Sequence, residues 1–425
     1  MHFRARGLAL VATVGLLAAA CGGGDSDTDA GATTEPTSDG GGAAAEGSLV
    51  VWADETRSPV IEEIGAQFEA DKGVAVEVVQ KDFGTLRDDL VSQGPSGQGP
   101  DIVVGAHDWI GKWVQNGAVA PLELGDKAGE FEQVSIDAVS YEGQVYGLPY
   151  SIENVALYRN ADLAPDKPGS WDDMIAAGQA LVDAGDAELP FAVQMDGENG
   201  DPYHFYPLQT SFGAFVFGQT DDGSWDPDNL TLDNEGGLEF ANFLSENGEK
   251  GSGVFSTSIT GDIAKEQFNN GNVAYWITGP WNVADAVDAG INLVVEEIPG
   301  PGGETAAPFV GVQAFFVSNY SENKLLANEF VVNYLSTEEV ADALFEAGGR
   351  PPALIVSAEK VADDPILAGF AEVGANGSPL PNIPAMDAVW EEWGLAEGAI
   401  VIGTNDPEKV WTDMAEKVRT NIAGS

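Results

Sequence analysis

Ser48-Leu-Val-Val-Trp52 is a short run of apolar residues, and its length suits one strand buried on both faces. Val60, Ile61, Ile64 and Phe68 then recur at helical spacing, and Gly73 supplies a stop. Val74–Val79 reads as the next strand, and Asp101-Ile-Val-Val104, introduced by Gly99-Pro100, as another. Further along, Phe191–Gln194 is strand-like and Leu238–Leu244 is helical. Val273–Ile277 is a strand running into Thr278-Gly-Pro-Trp281 and a new helix. Strands alternating with helices predict an α/β fold with a mainly parallel sheet flanked by helices. Ligands of such sheets bind at loops beyond the carboxyl ends of the strands. The places to search are therefore residues 53–58, 105–109 and the turn after Trp276. Tyr146–Tyr158 and Pro308–Val317 are apolar, long for single strands and flanked by turn residues, so they read as extended crossings. The sequence has no internal repeat.

The amino terminus has a different pattern. His2, Arg4 and Arg6 precede an apolar run from Leu8 to Ala20, which closes on Leu17-Ala-Ala-Ala-Cys21-Gly22. Charged, apolar and small residues in that order predict a secretory signal peptide over residues 1–20. The run is shorter than the about 20 residues a membrane span needs. Cys21 is the only cysteine in the chain, so no internal disulfide can form. Its position straight after the small residues resembles a bacterial lipobox, with Ala18 where leucine is usual. That resemblance implies a lipid on Cys21 and a protein held at the outer face of the cytoplasmic membrane through this anchor alone. Residues 21–47 then form a flexible tether rich in Gly, Ala, Asp, Ser and Thr. Asp25, Asp27 and Asp29 do not make a calcium loop, because Ala30 and Pro36 stand where that loop needs glycine and glutamate.

Composition narrows the partners. Eighteen basic against 69 acidic residues give a formal charge of −51, which excludes nucleic acid and disfavours anionic substrates. A neutral ligand fits, and a cationic one such as a polyamine stays open. Outside the signal segment the histidines are His107 and His204, without a ligand-spaced partner, so no metal site is expected. There is no nucleophile elbow, phosphate-binding loop or dinucleotide fingerprint, and no cofactor is assigned. Carboxylate pairs such as Glu62-Glu63 and Glu391-Glu392 are what 69 acidic residues produce by chance. An extracellular glycan hydrolase remains the alternative, but no catalytic residue is assigned. Several of the ten tryptophans stand beside Gly, Pro or charged residues: Trp52, Trp109, Trp281 and Trp390. A flat ring next to a carboxylate suits a sugar, whose apolar face stacks while its hydroxyls donate to Asp or Glu.

Four stretches carry a family resemblance. They are Gly99-Pro-Asp-Ile-Val-Val-Gly-Ala-His-Asp108, Phe268-Asn-Asn-Gly271 with Gly279-Pro-Trp281, Pro308-Phe-Val-Gly-Val312, and Pro381-Asn-Ile-Pro-Ala-Met386 with Trp390. From about Ser48 to the carboxyl terminus the chain resembles bacterial extracellular solute-binding proteins of the maltose/maltodextrin-binding type, the receptors of ABC importers. The resemblance implies a two-lobe periplasmic-binding-protein fold joined by hinge strands, with residues 48–152 plus 313–350 in one lobe and 153–312 plus 351–425 in the other. It also implies a monomer that delivers a neutral oligosaccharide, maltose, maltodextrin or another α-glucoside, to the transmembrane subunits of a permease. Position by position, Tyr203, Trp281 and Trp390 match stacking aromatics. Asp108 and Glu153 match carboxylates that accept from hydroxyls, and Asp201 begins the Asp-Pro-Tyr element. Asp54 and Arg57 stand on the loop after Trp52. Trp109 replaces an arginine, Arg87 replaces a glutamate and Glu391 replaces a tyrosine.

Overall fold

The structure, a computed structural model, describes residues 47–220, 224–403 and 405–424. Cys21, the signal segment and all of the tether before Gly47 lie outside the described residues. Among the described residues no helix is long and apolar enough to cross a membrane.

Two sheets organise the chain. The first has six strands. Ser48–Ala53 lies between Ala75–Gln80 and Ile102–Ala106, parallel to both. The long strand Phe309–Val317 runs antiparallel to Ile102–Ala106 and to Gly147–Glu153. Ser378–Pro379 completes the edge. Side chains alternate between its faces, as a strand period of two requires. Leu49, Val51, Ile102, Val104, Phe315 and Val317 enter one core, while Val50, Trp52, Val103 and Phe316 enter another with Trp113. The expected first helix is Ser58–Lys72, with Pro59 in its first turn and Gly73 closing it at φ 70°.

The second sheet has four strands in the order Leu293–Glu296, Ala156–Asn160, Tyr275–Thr278, Ala192–Val193. Alternation holds here too. Leu157, Val193, Tyr275 and Ile277 face one core, and Ala156, Tyr158, Ala192 and Trp276 face the other. The expectation of a mainly parallel arrangement needs correction in this sheet: Ala156–Asn160 is antiparallel to both neighbours. It enters from the other sheet and not through a strand–helix–strand unit, so nothing constrains it to run parallel.

The two apolar crossings are where the chain changes sheet. Tyr146–Tyr158 is divided: Gly147–Glu153 belongs to the first sheet and Ala156–Asn160 to the second. Phe309 packs in the core of the second sheet, although its strand pairs along the first. The chain passes over once more beyond Leu354. Ala353 and Leu354 are buried with the first sheet, whereas Phe370 and Val373 are buried with the second.

The two halves also touch at helix Ile110–Gln115. A Cβ at Gly111 would lie 2.5 Å from the backbone of Ile383 and Pro384. Gly111→Ala is therefore expected to push the helix from this segment and destabilise the protein by about 1–3 kcal/mol, read from the midpoint of urea unfolding.

His107 joins the same region. It is fully buried. Its Nδ1 accepts from the Val312 amide at 3.1 Å, and its Nε2–H donates to the Leu380 carbonyl at 3.1 Å. Burial pushes its pKa down to about 4, against the upward pull of its two backbone partners. The unfolded chain therefore takes up a proton near pH about 6.5 that the native state refuses. The His107 contribution to stability is complete above about pH 6.5, falls as the pH drops towards 4 and levels off below, a loss of up to about 3 kcal/mol. Neighbouring Asp108 has the opposite sign, since burial raises its pKa to about 6. It is common to wild type and His107→Gln. With the Asp108 contribution left unopposed in that variant, its stability relative to wild type should rise by up to about 3 kcal/mol as the pH falls from about 6.5 to 4, read from unfolding followed across this range.

Candidate functional site

A cavity of about 520 Å³ opens where the loops of the two sheets face each other. Trp281, Tyr203 and Trp390 stand on its second-sheet side, and Asp108, Trp109 and Arg87 on its first-sheet side. Glu153, Gly311 and Gln313, from the strands that link the sheets, form the floor.

Local sequence explains the aromatic wall. At Gly279 a Cβ would sit 2.1 Å from the indole of Trp281, so the Gly-Pro-Trp turn lets that ring fold back over its own backbone. Trp390 begins the helix Trp390–Ile402. Gly394 on that helix allows the Asn199 carbonyl to approach within 2.0 Å of where a Cβ would stand. Asn199 leads into Asp201, whose carboxylate caps the helix Pro202–Thr210 by accepting from the His204 amide. The helix carrying Trp390 is thus packed backbone to backbone on the turn that leads into the helix carrying Tyr203. Tyr203 lies 6.3 Å from Trp281, both Tyr203 and Trp390 lean on Phe309, and Trp390 stacks on buried Trp393 at 5.7 Å.

The polar groups are held from behind. Glu153 accepts from Gln313 Nε2 at 2.8 Å and from Arg350 Nε at 2.7 Å. Arg350 also lies over the Trp281 ring at 5.7 Å. Arg87 reaches Asp387 at 3.4 Å and Asp88 at 3.5 Å. Asp108 and Glu153 are the acids on the cavity wall, and Arg87 and Arg350 the fixed cations. The wall is therefore close to neutral in a protein of charge −51. Among the described residues, three buried polar atoms of the lining lack a protein partner: the Tyr203 hydroxyl, His204 Nε2 and Gln313 Oε1. Burying such groups unpaired is costly, so they suit a ligand that brings its own hydroxyls.

The residues expected from sequence divide into two groups. Trp281, Trp390, Tyr203, Asp108, Trp109, Glu153 and Arg87 meet at the cavity. Asp54, Arg57, Asp201 and Glu391 do not line it. Asp54 accepts from the amides of Thr56 and Arg57 and pairs with the Arg57 guanidinium, which also reaches Tyr150. Burial would lower the Arg57 pKa, but Tyr150, Asp54 and Glu153 together raise it. Burial would raise the Asp201 carboxyl, but His204 and Gln194 bring it below the usual carboxylate range. Glu391 points to solvent. Trp109 packs on Phe83 at 4.8 Å and Trp113 at 5.4 Å, so only part of its ring is offered to the cavity.

Sequence reasoning missed Phe83, Gln194, His204, Gln313 and Arg350. Gln313 lies inside an apolar crossing, where a lone amide is itself a signal. Arg350 lies between Gly348-Gly349 and Pro351-Pro352, a turn context that marks a placed side chain. Among the described residues, no cluster of three His, Cys, Asp or Glu could hold a metal.

Comparison with known proteins agrees with this geometry. Residues 63–369 match the bacterial extracellular solute-binding protein family. The chain belongs to that family. Its relatives include a galactooligosaccharide-binding protein of Bacillus subtilis, 29% identical over 97% of this chain and 96% of that one. A maltooligosaccharide ABC transporter solute-binding lipoprotein of Streptococcus pneumoniae is 30% identical over 98% and 96%. Among solved structures, a Thermus thermophilus maltotriose binding protein bound with maltotriose superposes with a TM-score of 0.79 at 29% identity, covering 88% of this chain and 99% of that one. The two-lobe fold implied by the sequence resemblance is the fold observed. In this solute-binding protein the two sheets are the lobe centres, and the cavity is the cleft they share.

Proposed function

We propose that this solute-binding protein captures a neutral oligosaccharide, in the first place a maltodextrin or another α-glucoside, for an ABC permease. The observation that carries the reading is the aromatic wall of Tyr203, Trp281 and Trp390 facing hydrogen-bonding groups whose charges balance. Ring stacking suits the apolar faces of a sugar, and the carboxylates and guanidinia of the lining suit its hydroxyls. The balance weighs against a polyamine, which would need an excess of acids. The names of the relatives are those of binding proteins and support binding without chemistry. One of them, a galactooligosaccharide binder, makes a galacto-oligosaccharide the second ligand to test.

Stacking is assigned to Trp281, Trp390 and Tyr203. Hydroxyl contacts are assigned to Glu153, Asp108 and Arg87, with Trp109 as a flanking surface. Asp54, Arg57 and Asp201 support these from behind, and Glu391 is left to the rim. We propose one lobe at 48–152 with 313–350, followed by Ala353 and Leu354, which are buried with the first sheet, and the other at 153–312 with the remainder. Cys21 carries the lipid anchor in this reading, and residues 22–47 tether a monomer at the outer face of the cytoplasmic membrane.

The test is a tryptophan-fluorescence titration of residues 22–425 with maltose, maltotriose, trehalose, sucrose, a galacto-oligosaccharide and spermidine, followed by recovery of the sugar. A saturable response to an α-glucoside recovered intact is the expected result. Shortened sugar would establish a hydrolase instead, and a response to spermidine alone would discard the sugar reading.

A further inference from the structure

Floor and wall of the cavity meet at Glu153. Each of its oxygens already accepts one strong hydrogen bond, from Gln313 Nε2 at 2.8 Å and from Arg350 Nε at 2.7 Å. Because the amide nitrogen of Gln313 must face the carboxylate, its Oε1 faces away as an acceptor, and that atom is buried without a protein partner. Arg350 has its Nε tied to Glu153 and its guanidinium plane over Trp281. Its two terminal amino groups make no hydrogen bond or ion pair among the described residues; Nη1 lies beside Gly348, 2.9 Å from where a Cβ would stand, and the side chain lines the cavity. Between these groups lies Gly311, which offers no side chain. A Cβ there would meet Glu153 Cγ at 3.4 Å, the Glu153 carbonyl oxygen at 3.6 Å and the unpartnered Tyr203 hydroxyl at 3.8 Å, so a methyl group would fill this spot at ordinary contact distance.

We propose that Arg350 and Gln313, locked together through Glu153, form a subsite that reads a neighbouring pair of ligand hydroxyls, with Arg350 donating to one and Gln313 Oε1 accepting from the other, beside the ring stacked on Trp281. A hydroxyl both donates and accepts, so one vicinal pair satisfies both residues at once. The guanidinium is suited to this because its fork is rigid and one arm is spent on Glu153, which fixes where the others point. Gln313 and Arg350 are thereby specificity-determining residues, and Glu153 is in part their positioning residue. The subsite rests on the oligosaccharide reading above.

Arg350→Lys keeps a cation for Glu153 but loses the fork, and Gln313→Leu removes the acceptor. Calorimetric titration with maltotriose and its monodeoxy analogues is the experiment. Arg350→Lys should weaken maltotriose about 10- to 100-fold, as loss of hydrogen bonds to a charged group implies, with an unfolding midpoint near wild type. One monodeoxy analogue should bind wild type and Arg350→Lys equally weakly, because hydroxyl and fork are lost as a unit; a role confined to folding would leave the two losses additive. A different analogue should behave in this way with Gln313→Leu. Wild-type affinity in both variants, or additivity for every analogue, would overturn the subsite while leaving the receptor reading standing. Absence of maltotriose binding by the wild type overturns both.

Discussion

Trp390→Ala should lower the affinity for maltotriose by about 50-fold. A sugar ring that covers about 100 Å² of indole face is worth about 2.5 kcal/mol at about 25 cal/mol per Å², and each 1.4 kcal/mol is about tenfold in the dissociation constant. The ring is half-buried at the start of the helix Trp390–Ile402 and stacked on Trp393. Its outer face is thus the part available to a ligand, while Trp393 remains to hold the helix. Trp281→Ala should show a comparable loss, and the same loss should appear with every ligand that binds, because stacking does not distinguish hydroxyl patterns. A titration in which Trp390→Ala binds as tightly as wild type would remove the aromatic wall from the account.

Glu153→Ala should cost about 3–5 kcal/mol of stability, the range for breaking a buried ion pair from one side. The substitution strands the Arg350 guanidinium beside Trp281 and leaves Gln313 Nε2 without its acceptor. Glu153 ends the strand Gly147–Glu153, where the chain leaves the first sheet for the second. The damage therefore falls at a hinge, and ligand binding should be lost together with stability. Urea unfolding of wild type, Glu153→Ala and Arg350→Lys separates the two terms. The alanine variant should shift far more than the lysine variant, which keeps the pair. A shift below about 1 kcal/mol for Glu153→Ala would mean that the pair behaves as an exposed one and does not fix the floor of the cleft.

Much of this architecture was legible in the pattern of apolar residues. The unbroken runs at Ser48–Trp52 and Val273–Ile277 are strands because both faces are covered, and the two overlong runs mark sheet changes because a crossing strand is buried by both lobes in turn. The place of Trp281 at the cavity followed from the resemblance of Gly279-Pro-Trp281, but the fold-back of its ring over Gly279 did not. Strand direction in the second sheet was not legible, because periodicity is the same for parallel and antiparallel pairs. Nor was the division of polar residues between the cavity and its supports. Asp54 and Asp108 follow strands in the same way, yet Asp54 turns inward to cap its own loop and pair with Arg57, while Asp108 borders the cavity. Arg350 was missed because its role arises from contacts with Glu153 and Trp281, both far away in sequence.

This strongly acidic protein carries a cleft whose lining charges balance, which fits a neutral sugar. That fit is tested most directly by calorimetric titration of residues 22–425 with maltotriose at low and at high salt, with spermidine as the comparison. Maltotriose should bind saturably with an affinity unchanged by salt, since no net charge is neutralised on binding, and spermidine should give no specific heat. Silence to maltotriose, together with spermidine binding that vanishes in salt, would contradict that fit.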